Sequence, residues 1–173
     1  MIIYSILIFT NNKLLHEVYN LETFGYFYRS SVVEFIKFFS KIVIDKSIES
    51  CERLEITEKE YVFYVHNNIV VICDREYPSR VAFSLIENII NSEDTKIFIE
   101  NAIIEYKNPE KVDSILKIKG KLDESILIIQ KTIDSVLERG TKLDTLVKQS
   151  EDLSSSSKLF YEQAASRRCC SIS

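Results

Sequence analysis

The sequence predicts an α+β domain followed by one long coiled-coil helix. Three observations lead there. Residues 2 to 106 carry short β-rich runs joined by Asn-Asn pairs, with helix-period stretches between them. From Pro109 onward the apolar residues step by three and four, and no further proline interrupts them. Gly and Pro number only 3 and 2 in 173 residues, so regular elements must fill most of the chain.

Ile2 to Phe9 and Lys13 to Asn20 are β-rich, and Asn11-Asn12 between them is a hairpin signal. Ser31-Val-Val-Glu34 has the spacing of a capping box and predicts a helix from there to about Ser47. Leu54 to Thr57, Glu60 to His66 and Ile69 to Asp74 read as three strands, with Asn67-Asn68 as a second tight turn. Pro78 suits the first turn of a second helix, with Ala82, Leu85, Ile86, Ile89 and Ile90 on one face. A third helix is expected over Asp94 to Tyr106, although Ile97 to Ile99 could also form a strand. The order is ββαβββαα. Hairpins and meanders build an antiparallel sheet, whose apolar faces the helices must cover.

The first helix carries more apolar surface than a sheet alone can cover. Val32, Phe35, Ile36, Phe39 and Val43 form one stripe, Phe38 falls outside it, and Ile42 borders it. Two explanations stand: packing against the domain's own loops, or a groove for another segment.

Asn108 can cap the next helix, with Pro109 at its first position. The apolar series then runs Ile115, Ile118, Leu122, Ser125, Ile129, Thr132, Val136, Arg139, Leu143, Leu146, Ser150, Leu153, Ser157, Phe160 and Ala164 in a single heptad register. A lone amphipathic helix has no core, so residues 109–168 need a partner. Arg139 stands in the seam, where an apolar residue belongs. A polar seam residue can set register, and a long side chain can reach out of a bundle. A homodimer would oppose two guanidinium groups in a poorly hydrated site, at a cost of several kcal/mol. A hetero-oligomer offering neutral amide oxygens would satisfy the five donors of the guanidinium instead. The small residues Ser125, Ser150, Ser157 and Ala164 also suit a multi-helix bundle better than a two-stranded coil.

The chain ends Cys169-Cys170-Ser171-Ile172-Ser173, the pattern of a C-C-a-a-X prenylation box. Cys170 would take the prenyl group, and Cys169 is placed for a second lipid, palmitoyl or prenyl. No stretch reaches the 18 or more consecutive apolar residues of a spanning helix. Met1 to Phe9 is too short for a signal peptide and lacks its basic flank, so the chain is expected to stay in the cytosol. Cys51 and Cys73 stand singly, with no metal spacing to His16 or His66, and are expected to be buried thiols. A net charge of −4 without a basic stripe argues against nucleic acid. No triad, phosphate loop, metal set or carboxylate pair points to an enzyme or a cofactor.

Two further stretches carry a resemblance. Val136-Leu-Glu-Arg-Gly-Thr-Lys-Leu-Asp-Thr-Leu146 resembles the centre of an R-SNARE of the synaptobrevin-like class. Phe24 to Asp45, with Arg29-Ser-Ser-Val-Val-Glu-Phe35, and Glu76-Tyr-Pro-Ser-Arg-Val-Ala-Phe83 resemble a longin domain. With the CCaaX end, the whole is similar to the lipid-anchored longin R-SNAREs. The resemblance implies a profilin-like longin domain at 1–106, with a five-stranded antiparallel sheet flanked by helices. It implies an R-SNARE motif at 109–168 and a lipidation tail at 169–173. The motif would join three Q-SNARE helices in a parallel bundle, with Arg139 in the central ionic layer. Membranes of the Golgi, ER-derived vesicles, endosomes or vacuole would hold the protein on their cytosolic face. The longin domain of this family can also fold back on its own SNARE segment in a closed form, using a surface that holds Phe38 and, beside it, Ile42.

A different class of function is a longin trafficking adaptor or small-GTPase regulator with the helix as a dimerisation arm, which would have no use for Arg139. An enzyme that loads lipid onto Cys169 is a third, and the chain lacks the residues for it.

Overall fold

Four asparagines make the sheet possible. In this computed structural model, which describes residues 1–46, 51–55, 61–118, 129–132, 135, 137 and 142–166, Asn11 and Asn12 have φ of 50° and 58°, and Asn67 and Asn68 have 46° and 63°. Consecutive left-handed residues form the turn whose twist matches two antiparallel strands, and Asn tolerates that region better than other residues with a Cβ. The first pair joins β1 (Ile3–Thr10) to β2 (Lys13–Tyr19), and the second joins β4 (Tyr61–His66) to β5 (Ile69–Asp74). With β3 (Glu52–Glu55) antiparallel to β4, the order is β2-β1-β5-β4-β3. The central strands are buried almost continuously because both faces of the sheet are covered, whereas β2 at the edge alternates.

The order ββαβββαα is the one the sequence predicts. Helix α1 (Arg29–Lys46) lies on one face of the sheet, and α2 (Ser79–Ile90) and α3 (Thr95–Glu105) lie on the other. Three details differ from expectation. A 3-10 turn at Tyr26–Tyr28 feeds straight into α1. Ser31 therefore lies inside the helix and is buried, and it forms no capping box with Glu34. Pro78 is the residue before α2 rather than within its first turn. Ile90 at the end of α2 is 44% exposed, whereas Ala82, Leu85, Ile86 and Ile89 are buried. Asp94 caps α3 by accepting from the Ile97 N–H, which settles Ile97 to Ile99 as helix. Buried tyrosines tie the elements together: Tyr64 Oη donates to the Tyr77 carbonyl at 2.7 Å, and Tyr77 Oη to the Tyr106 carbonyl at 2.9 Å.

After residue 108 the structure departs from one continuous helix. The described residues form α4 (Pro109–Ile118), a strand β6 (Ile129–Thr132), α5 (Leu143–Gln149) and α6 (Ser155–Ser166). Asn108 caps α4 as the sequence predicts, its Oδ1 accepting from the Lys111 N–H. An amphipathic helix without a partner cannot bury its stripe. Here the described parts of the segment bury apolar residues on their own domain, whose available surfaces face in different directions. Val112 joins the cluster under α2 and α3, and Arg80 pairs with Asp113. β6 lies on the β3 edge, and α5 and α6 carry their apolar residues to the α1 side. No single straight helix reaches all three places.

Candidate functional site

The site is the surface of α1 and β3 that the C-terminal segment covers. On that side of the sheet, the whole predicted stripe Val32, Phe35, Ile36, Phe39 and Val43 is buried over Leu7, Phe9, Leu54, Phe63, Val65, Val70 and Ile72. The cluster is completed from outside the domain by Leu137, Leu143, Val147 and Leu153, with Leu146 and Tyr161 at its margin. Tyr161 stacks obliquely on Phe35, 5.6 Å between centroids, and its hydroxyl donates to Asp144 at 2.7 Å. Phe38 and Ile42 are half-buried at the edge of this cluster, with Phe38 packed edge-on against Phe39 at 5.4 Å. Of the two explanations for the surplus on α1, the contacts match the second: besides the sheet, the stripe meets residues 137–161, a segment of the same chain that lies outside the domain.

Polar groups fix the docked pieces. Glu34, one step from Phe35 on α1, accepts from the Ser154 N–H at 2.9 Å and from Ser157 Oγ at 2.6 Å. Desolvation acts to raise the Glu34 pKa, but the hydrogen bonds from Ser157 and Ser154 outweigh it and hold the carboxyl below its usual range. Ser157 is fully buried at the start of α6. An exposed pair, Lys41 with Asp152 at 3.7 Å, contributes little. At the sheet edge, β6 runs parallel to β3, Glu52 opposite Ile129 and Glu55 opposite Thr132, and the Ile129 N–H donates to the Cys51 carbonyl at 3.0 Å. Lys131 Nζ donates to Glu52 Oε1 at 2.8 Å.

The predicted seam is thus distributed over several elements. Ile115 and Ile118 fall on α4, and Ile129 is half-buried and Thr132 exposed in β6. Leu143, Leu153 and Ser157 are buried against the domain, Leu146 and Ser150 are half-buried, and Phe160 and Ala164 fall on α6. Leu122, Ser125, Val136, Arg139, Cys169 and Cys170 lie outside the described residues. Sequence reasoning missed Val147 and Leu137 as buried residues, and Glu34, Glu52 and Lys131 as polar contacts. Val147 had a signal, an apolar side chain immediately beside seam residue Leu146. The polar contacts had none, because each pairs residues far apart in the chain. Of the body cysteines, Cys73 is buried, with its thiol pKa pushed up by desolvation, and Cys51 is half-buried. No described helix is long and apolar enough to cross a membrane.

A sheet packed between α1 and an α2–α3 pair, followed by a heptad segment, is the architecture of a SNARE protein with a folded N-terminal domain. Comparison with known families agrees: residues 21–92 match a regulated-SNARE-like (longin) domain and residues 114–169 match synaptobrevin. The chain belongs to the longin-type R-SNAREs, which act in vesicle trafficking. It is similar to the synaptobrevin homologs ykt6 of Schizosaccharomyces pombe (33% identical, covering 92% of this chain and 91% of that one) and YKT6 of Saccharomyces cerevisiae (36%, 91% and 90%). It is also 35% identical to the synaptobrevin homolog YKT6 of Eremothecium gossypii over 98% of both chains. The family is a trafficking class rather than an enzyme class.

Proposed function

We propose that this R-SNARE alternates between a closed form, with α4, β6, α5 and α6 docked on the longin domain, and an open form. In the open form residues 109–168 are one helix in a parallel bundle with three Q-SNARE helices, and assembly drives docking and fusion. The observation that carries the proposal is the double use of the seam. Leu143, Leu153 and Ser157 belong to the heptad series, yet they are buried against the chain's own domain. A side chain cannot fill both places, so docking and assembly compete, and the longin domain is autoinhibitory. Arg139 supplies the ionic layer, its five donors met by glutamine amide oxygens.

The open protein holds to the cytosolic face of Golgi, ER-derived, endosomal or vacuolar membranes through a prenyl group on Cys170 and a second lipid on Cys169. Single-chain anchors bind only marginally, so two lipids are needed for stable residence. The test compares the full chain with a peptide of residues 110–168. The peptide is expected to be largely unfolded alone, helical with three Q-SNARE helices, and faster to assemble than the full chain. Arg139→Gln is expected to assemble but to support fusion less well. A peptide that forms a stable homodimer, or a full chain that assembles as fast as the peptide, would overturn the proposal.

A further inference from the structure

β6 is a strand of four residues added in parallel to the edge of the sheet. Parallel pairing is slightly weaker per residue than antiparallel, and so short a strand has few backbone bonds to hold its register. Its side chains supply what the backbone does not. Glu52 on β3 is fully buried, at 0% exposure, while the Lys131 side chain that reaches its Oε1 from β6 is 32% exposed. A carboxylate removed from water is destabilising unless donors and a counter-charge meet it. A one-residue slip of β6 would turn Lys131 to the opposite face of the sheet. Such a slip takes the ammonium away from the carboxylate.

The heptad pattern gives Lys131 a different setting in a bundle. Ile129 and Thr132 are consecutive seam positions, and Lys131 between them falls on the flank, where its charge is hydrated. The same cation is thus held by a buried carboxylate in one arrangement and by water in the other.

We propose that Glu52 and Lys131 form an ionic latch that selects the closed arrangement, fixing the register of β6 and adding free energy to the closed form alone. This rests on the closed–open reading above. What the latch reads is charge at residue 131, not side-chain bulk. A Met at this position keeps the apolar stem and loses the ammonium. Removing one member of a buried pair is costly, whereas replacing both by apolar residues is often neutral or stabilising.

The test uses the full chain and two measurements: hydrogen exchange of the amides of residues 129–132, and the rate of assembly with three Q-SNARE helices. Lys131→Met is expected to speed both by about tenfold, while leaving the thermal stability of the assembled bundle unchanged. Lys131→Met combined with Glu52→Met is expected to bring both back toward the parent. The latch is refuted if Lys131→Met changes both by less than about twofold, or if the double variant is as open as the single one. Val147→Ala, which loosens the docked segment elsewhere, separates the two ideas. If it accelerates assembly and Lys131→Met does not, the latch alone fails. If neither does, the closed form does not control assembly, and the latch fails with it.

Discussion

Val147 separates the closed form from the bundle better than any seam residue. It is 1% exposed in the cluster on α1, yet it lies just off the heptad seam beside Leu146. Val147→Ala removes two buried methyl groups, worth about 1.6 kcal/mol at roughly 0.8 kcal/mol per carbon. The cavity adds to this if the site does not collapse. Alanine is the better helix former in α5 and returns up to about 0.5 kcal/mol. The net loss to the closed form is then about 1–2 kcal/mol, or roughly 5–30-fold in the closed-to-open ratio. When only the open fraction can bind, the apparent affinity and assembly rate scale with that fraction. Stopped-flow mixing of the full chain with labelled Q-SNARE helices measures it, with bundle melting as the control. The expected result is faster assembly with an unchanged melting temperature. An unchanged or slower rate, with residues 142–166 still protected from hydrogen exchange, would show that Val147 does not hold the segment down.

Phe38→Glu is expected to leave the longin domain folded, because Phe38 is only half-buried at the margin of the cluster, and to shift the protein toward membranes; circular dichroism and cell fractionation check the two halves. Unfolding of residues 1–106 would instead make Phe38 core. Glu34 gives a pH dependence. Its folded pKa is lowered, so its contribution to docking is present above the unfolded value and is lost as pH falls through the folded one. Exchange protection at Ser154 and Ser157 should therefore weaken in acid, and Glu34→Gln should flatten that dependence. Cys170→Ser should abolish membrane association, and Cys169→Ser should leave a protein that exchanges quickly between cytosol and membrane, which fractionation beside a transmembrane SNARE measures. Equal, undiminished recovery of both on membranes would exclude the tail as anchor.

Much of this was legible in the chain because it is local. The Asn-Asn pairs announce their turns, since few other residues accept two successive left-handed conformations. The stripe Val32, Phe35, Ile36, Phe39 and Val43 follows from 3.6-residue geometry, and all five are buried. Where a local rule failed, a neighbour had overruled it. The Ser31–Glu34 spacing reads as a capping box, but the turn at Tyr26–Tyr28 starts the helix earlier and Glu34 binds Ser154 and Ser157 instead.

The sequence by itself determined that residues 109–168 need a partner, because their apolar residues lie in one stripe with nothing behind it. Which partner they have in this structure was decided by tertiary packing. The stripe on α1 offers an apolar surface within the same chain, at an effective concentration no separate molecule matches. To use it the segment gives up one helix for α4, β6, α5 and α6. A heptad pattern specifies which residues seek burial. It cannot specify where, because the competing surface is assembled from residues 7 to 72, and contacts such as Glu34 with Ser157 or Glu52 with Lys131 join positions that only the fold brings together.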